Sequence, residues 1–158
     1  FMSEIRSLGY LMKLDTNGTR PNVLTSVMNR GLVDYVAMDI KAPAEKYDAI
    51  CRVSVDQGAI TESISLLMEG CIDYELRTTV IPQLTPEDIL SIGNRILGAR
   101  TYVLQGWREF PSDGFLNDSC RTAASWPPMW LKDVQNILGH MVKNCFVRGF
   151  ERNTIQAK

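Results

Sequence analysis

The feature that most constrains this chain is a repeated alternation between short apolar runs and amphipathic stretches, punctuated by glycine and proline. Phe1, Ile5 and Leu8 recur at helical spacing and Gly9 follows where a helix would stop. Residues 10–14 then read as a short apolar strand running into the polar turn Asp15-Thr16-Asn17-Gly18. A helix entered at Thr19 or Arg20, with Pro21 in its first turn, buries Val23, Leu24, Val27 and Met28 and ends at Gly31. Residues 33–40 form the next strand, ending at Asp39 and Lys41.

A looser stretch, 42–58, has weak helical character. Ile60, Ile64, Leu67 and Met68 mark another helix, closed by Gly70. Residues 74–81 are β-branched and strand-like, and Pro82 stops them. Thr85 as capping hydroxyl, Pro86 and two acids open a helix carrying Ile89, Ile92 and Ile96. Residues 101–105 are the fourth strand. An irregular segment, 106–128, precedes a helix with Leu131, Val134, Leu138 and Met141 and a last strand at 145–147.

Five strands separated by helices, with crossovers of the length parallel pairing requires, define an α/β protein. The sheet is either open and doubly wound or part of a (β/α) barrel. No linker or low-complexity tract divides residues 1–158, which reads as one domain. Phe1 falls inside a helical pattern, which points to a piece of a longer protein.

Composition removes several function classes. Formal net charge is −1 and charged residues make up 22%, so nothing draws the chain generally to nucleic acid or to anionic membrane. No apolar run approaches the roughly 20 residues that span a bilayer. Cys51, Cys71, Cys120 and Cys145 are too scattered for a CxxC metal or redox motif. With no secretory signal, they read as reduced thiols in a cytoplasmic protein. Sequence motifs for a GxSxG nucleophile or a GxGxxG or GxxxxGK phosphate loop are absent.

Both α/β architectures place chemistry at the carboxyl ends of the strands, where the informative residues cluster: Asp15 and Asn17, Asp39 and Lys41, Arg77 to Thr79, and Gln105. Asp15 and Asn17 suit ribose hydroxyls or an ammonium group, and Gly18 allows close backbone approach; the same letters also make an ordinary tight turn. Asp39 and Lys41, two apart, share a strand face, as a ligand pair or as a salt bridge. Arg77 in an apolar strand needs a partner, so it is expected to face a polar interior and meet a substrate carboxylate or an acid such as Asp39. His140 is expected at or near the surface, and Trp107, Trp126 and Trp130 to pack the irregular segment.

The strings KLDTNGTRP (13–21), LVDYVAMDIKAP (32–43), SISLLMEG (63–70), DYELRTTVIP (73–82) and YVLQ (102–105) together resemble radical S-adenosylmethionine activating proteins of anaerobic ribonucleoside-triphosphate reductase. The related pyruvate formate-lyase activating enzymes share the DTNG turn and an MDIK-like strand end. The resemblance implies a partial (β/α)6 barrel, with S-adenosylmethionine bound to a [4Fe–4S] cluster on a CxxxCxxC loop. Its one-electron cleavage gives a 5′-deoxyadenosyl radical that takes hydrogen from a glycine of the partner enzyme, here anaerobic ribonucleotide reductase. It further implies that Asp15, Thr16 and Asn17 contact the cosubstrate, while Asp39, Lys41, Arg77 and Gln105 line the barrel mouth.

The chain departs from that pattern in lacking CxxxCxxC and the histidine of the pyruvate formate-lyase activators. The cluster is therefore not expected on this chain, and the chain alone is expected not to cleave S-adenosylmethionine. An apolar parallel edge at residues 10–14 is expected to promote self-association. Two competing readings are a non-catalytic scaffold that binds a partner and, less favoured, a receiver domain phosphorylated on Asp39.

Overall fold

The structure, a computed structural model, describes residues 1–107 and 128–149. Its elements run α1 (Met2–Ser7), β1 (Lys13–Thr16), α2 (Pro21–Asn29), β2 (Tyr35–Asp39), a 3-10 turn (Ala44–Lys46), α3 (Tyr47–Cys51) and α4 (Gln57–Glu69). Then follow β3 (Asp73–Val80), α5 (Pro86–Arg95), β4 (Tyr102–Gly106), α6 (Pro128–Leu138) and β5 (Cys145–Arg148). The strands form one sheet in the order β1-β2-β3-β4-β5, every pair parallel.

That order decides between the two architectures. Parallel crossovers are right-handed, so strands laid down strictly in sequence place their connecting helices on one side. A doubly wound sheet reverses direction at a switch point and covers both faces. Here the buried strand residues Val36, Met38, Tyr74, Leu76, Tyr102 and Leu104 form a single cluster with helix residues such as Leu24, Ile60, Ile64, Ile89, Ile92 and Leu131. The fold is thus a section of a (β/α) barrel, with helices outside and the other sheet face turned to the interior. A receiver sheet runs 2-1-3-4-5, so the receiver reading does not fit this order.

Local chemistry explains the helix ends. Thr85 caps α5 in a reciprocal box: its hydroxyl accepts the Asp88 amide while the Asp88 carboxylate accepts the Thr85 amide. The Asp56 carboxylate accepts amides of Gly58 and Ala59, which starts α4 at Gln57, earlier than the apolar stripe from Ile60 implies.

The first strand is displaced from its expected span. Its ladder begins at Lys13, paired with Tyr35, because β2 itself begins there, and it continues through Asp15 and Thr16. Residues 10–12 precede the ladder: the Met12 amide donates to the Asp34 carboxylate at 2.7 Å, and its carbonyl accepts the Asp34 amide. The 42–58 stretch resolves into the 3-10 turn and α3. Of the irregular 106–128 segment, Gly106 closes β4, whereas residues 108–127, with Trp126 and Cys120, lie outside the described residues. His140 is exposed, just past the end of α6.

Candidate functional site

Successive strand residues point to opposite faces. The apolar even-numbered residues of β2, β3 and β4 meet the helices, so the odd ones project into the interior. In register they are Lys13 and Asp15; Tyr35, Ala37 and Asp39; Glu75, Arg77 and Thr79; Val103 and Gln105; Phe146 and Arg148. The interior face therefore carries charge at its centre and carboxyl-terminal rim, laid over the buried Ala37 and Val103.

Arg77 organises the rim. Its Nε and Nη2 each lie 2.8 Å from Asp39 Oδ1, and its Nη1 lies 2.7 Å from Asp15 Oδ1. Asp39 is its ladder neighbour, whereas Asp15 is one strand further away. The guanidinium reaches Asp15 across β2 because residue 37 is alanine. Burial works against the charge on Arg77, but the carboxylates of Asp39 and Asp15 outweigh it and leave its pKa raised. Lys41 Nζ lies 3.6 Å from Asp39 Oδ2, with its side chain 45% exposed, so the ammonium remains accessible to a ligand.

The end of β2 that carries Asp39 and Lys41 is braced from the helix side. The Tyr102 hydroxyl donates to Thr78 Oγ1 at 2.8 Å, and Thr78 donates to the Ile40 carbonyl at 2.7 Å. The Ile40 amide donates to the Arg77 carbonyl, and the Lys41 amide to the Tyr47 hydroxyl. Burial, outweighing the hydrogen bond with Thr78, pushes the Tyr102 phenol far above its ordinary value, so it serves as a neutral donor.

The turn after β1 divides its residues between tasks. Thr16 takes the side opposite Asp15, and its hydroxyl accepts the Gly18 amide. Asn17 Oδ1 accepts from both the amide and the hydroxyl of Thr19. Gly18 has φ +73°, and a Cβ there would collide with the terminal methyl of buried Met38. Its close approach is thus to the protein's own core. The Gly18 carbonyl also accepts the buried Ser63 hydroxyl at 2.8 Å, which locks the turn onto α4.

Two cavities adjoin Lys41 at the carboxyl ends of the strands. One, of about 240 Å³, is lined by Asn17, Thr19, Lys41, Tyr47, Cys51 and neighbouring valines. The other, of about 110 Å³, is lined by Asp39, Ile40, Lys41, Ile50, Thr79 and Ile81. The structure therefore brings Asp15, Asp39, Lys41 and Arg77 into one charged constellation and sets Asn17 beside it. Gln105 shares the interior face, opposite Thr79 and Arg148 in register, and lines neither cavity.

Sequence reasoning missed Glu75, Lys13, Tyr35 and Arg148. Glu75 is 3% exposed; Arg148 Nη1 lies 3.0 Å from its Oε2, and Lys13 Nζ and Arg77 Nη1 each lie 3.8 Å from its Oε1. The signal for Glu75 was present, since it stands two residues before Arg77 in one strand and must share its face. For Arg148, 73 residues away, no local signal exists.

Chemically the rim offers carboxylates to an ammonium or to hydroxyl groups and an accessible ammonium to a carboxylate. That donor set does not fit a metal cluster: among the described residues no group of three or more His, Cys, Asp or Glu side chains could hold a metal ion. Cys51 ends α3, Cys71 lies between α4 and β3, and Cys145 begins β5.

Comparison of folds gives the class. A domain of pyruvate-formate lyase-activating enzyme from Bacteroides vulgatus superposes with a TM-score of 0.70, covering 94% of this chain and 87% of that domain at 14% identity. The chain thus has the parallel, helix-flanked (β/α) architecture of that domain. In sequence it is similar to a Methanocaldococcus jannaschii protein provisionally named a glycyl-radical enzyme activating enzyme, 31% identical over 112 residues. The match covers 68% of this chain and 46% of that protein, so the chain spans about half the length of the curated relative it matches. No family model matches the chain.

Proposed function

We propose that this chain forms the cosubstrate-binding part of a radical S-adenosylmethionine enzyme that activates a glycyl-radical enzyme, of the type serving anaerobic ribonucleotide reductase. One observation carries the reading: at the carboxyl-end rim of a barrel-section sheet, one guanidinium binds both Asp15 and Asp39 while Lys41 stands beside them. The similarity to a named activating enzyme supports the same class.

In this reading Asp15, 56% exposed, takes the cosubstrate's ammonium, and Lys41 takes its carboxylate. Asp39 meets ribose hydroxyls, with Thr16 and Asn17 shaping the adjoining turn and Gln105 the far side of the mouth. Arg77 holds both carboxylates in place, so they need no rearrangement when a cation arrives. When bound and cleaved by one externally supplied electron to methionine and a 5′-deoxyadenosyl radical, S-adenosylmethionine would supply the radical that takes a hydrogen atom from a glycine of the partner. The described residues offer no ligand set for the [4Fe–4S] cluster.

Calorimetric titration with S-adenosylmethionine tests the assignment. Wild-type chain is expected to bind at least about tenfold more tightly than Lys41→Met or Arg77→Met, the effect of one lost charge-assisted contact. Equal affinities among the three folded proteins would overturn it. After anaerobic incubation with iron, sulfide and reductant, the chain by itself is expected to release no 5′-deoxyadenosine.

A further inference from the structure

The interior face holds a carboxylate that the cosubstrate reading leaves without a task. Glu75 lies at the middle of the sheet, nearly inaccessible to water, in the ladder row that also contains Asp15 and Ala37. Across the small Ala37 side chain, Asp15 and Glu75 face each other, and two cations bridge them. Lys13 Nζ is 3.5 Å from Asp15 and 3.8 Å from Glu75; Arg77 Nη1 is 2.7 Å from Asp15 and 3.8 Å from Glu75. Arg148 closes on the opposite oxygen of Glu75 at 3.0 Å. Burial, then the Glu75 charge, also raises the pKa of Tyr35, which keeps its hydroxyl a donor beside that carboxylate.

A carboxylate this deep is costly unless surrounded by donors, and breaking up the set would leave buried charge unpaired. Its four neighbours come from β1, β2, β3 and β5, so Glu75 ties the whole width of the interior face to one point. Around it stand three cations, Lys13, Arg77 and Arg148, against three carboxylates, Asp15, Asp39 and Glu75. With Glu75 neutralised, only Asp15 and Asp39 would remain to balance them. Lys13 would then bear on Asp15 alone, Arg148 would lose this carboxylate, and Arg77 Nη1 would lose the brace that Glu75 gives it.

We propose that Glu75 is a positioning residue of this site: it occupies Lys13 and Arg148 and fixes the Arg77 guanidinium, so that one cation presents Asp15 and Asp39 together at the rim. The proposal deepens the functional reading above and rests on it for the identity of the ligand. Its own content concerns Arg77.

The test uses no cosubstrate, so its outcome is independent of whether S-adenosylmethionine is the ligand. Proton exchange of the Arg77 Nε–H is followed by NMR in wild type, Glu75→Gln and Glu75→Asp, with the resonance assigned by its loss in Arg77→Lys. Backbone amides of Leu76 and Leu104 report the fold. Arg77 Nε–H is expected to exchange roughly tenfold faster in Glu75→Gln, the scale of a weakened charge-assisted bond, with Glu75→Asp in between and the two backbone amides unchanged. An Arg77 rate equal to wild type in folded Glu75→Gln overturns the proposal. So does an equal acceleration of Arg77 and the backbone amides, which would mark a merely structural carboxylate. Should Glu75→Gln not fold, Glu75→Asp decides: faster Arg77 exchange supports the proposal, and the wild-type rate refutes it.

Discussion

Replacing Gly18 by alanine isolates the contact on which the turn after β1 depends. Two costs add. A residue with a Cβ held at φ +73° carries the left-handed penalty of about 1–2 kcal/mol. The new Cβ also falls on the Met38 methyl, and Met38 is fully buried between β2 and the helices, so it must be pushed into a packed core at about 1–3 kcal/mol. Gly18→Ala should therefore lose about 2–5 kcal/mol, a large share of the roughly 5–15 kcal/mol available to a domain.

Urea denaturation of a double-mutant cycle separates the two costs. Met38→Ala alone creates a cavity and should cost about 2–5 kcal/mol. In that background the collision is gone, so Gly18→Ala should cost only the backbone penalty, giving a favourable coupling of about 1–3 kcal/mol. Coupling below about 0.5 kcal/mol would show that the Met38 contact is not what the glycine serves. A wild-type cost below about 0.5 kcal/mol would refute the backbone argument as well.

Other consequences are equally direct. Burial pushes the Asp88 carboxyl up, but the Lys46 ammonium at 2.8 Å and the Thr85 amide outweigh it, leaving the folded pKa lowered. Its stabilisation is therefore present above the ordinary carboxylate range and lost as pH falls through the lower folded value. The melting-temperature gap between wild type and Asp88→Asn should hold at neutral pH and close in acid, and a gap that persists there would contradict it. Burial pushes the Cys145 thiol up to about 11 and also raises Cys51, whereas Cys71 is exposed. Iodoacetamide at neutral pH followed by peptide mass mapping should therefore modify Cys71 well before Cys145, and the reverse order would refute this. Leu8 and Leu11, 70% and 83% exposed, lie on the stretch that leads into β1, the edge strand of the sheet. Self-association through that edge should appear as concentration-dependent mass in light scattering and fall in Leu8→Lys/Leu11→Lys; a double variant that associates like wild type would count against it.

How much of this was legible depended on whether the determining contacts were local. Strand and helix order followed from periodicity, and the Thr85-Pro86-Glu87-Asp88 start of α5 from capping chemistry, because each rests on neighbours a few residues apart. Arg77 also declared itself, since a guanidinium in an apolar strand requires an acid, and Asp39 supplies one at 2.8 Å. The start of β1 was not legible: its ladder is set by where β2 begins, and residues 10–12 are as apolar as a strand. Gly18 could be read as a turn residue, but only the folded chain shows Met38 beneath it.

The interior face was the least legible part, for a reason built into the topology. A sheet wound strictly in one direction hides its apolar residues under the helices, and those residues carry the periodic signal. What projects to the other side is decided by register across strands: Asp15 meets Arg77 only because Ala37 lies between them in space, and Arg148 meets Glu75 across two intervening ladders. The same register explains why the charges gather on one face. Lys13, Asp15, Asp39, Glu75, Arg77 and Arg148 come from four strands, and no two of these strands' contributions need be close in sequence to converge. Substituting Ala37 by leucine would thus disturb the site although Ala37 itself carries no charge. The added branch would stand in the path between Arg77 and Asp15, leaving Asp39 as the sole carboxylate on the guanidinium.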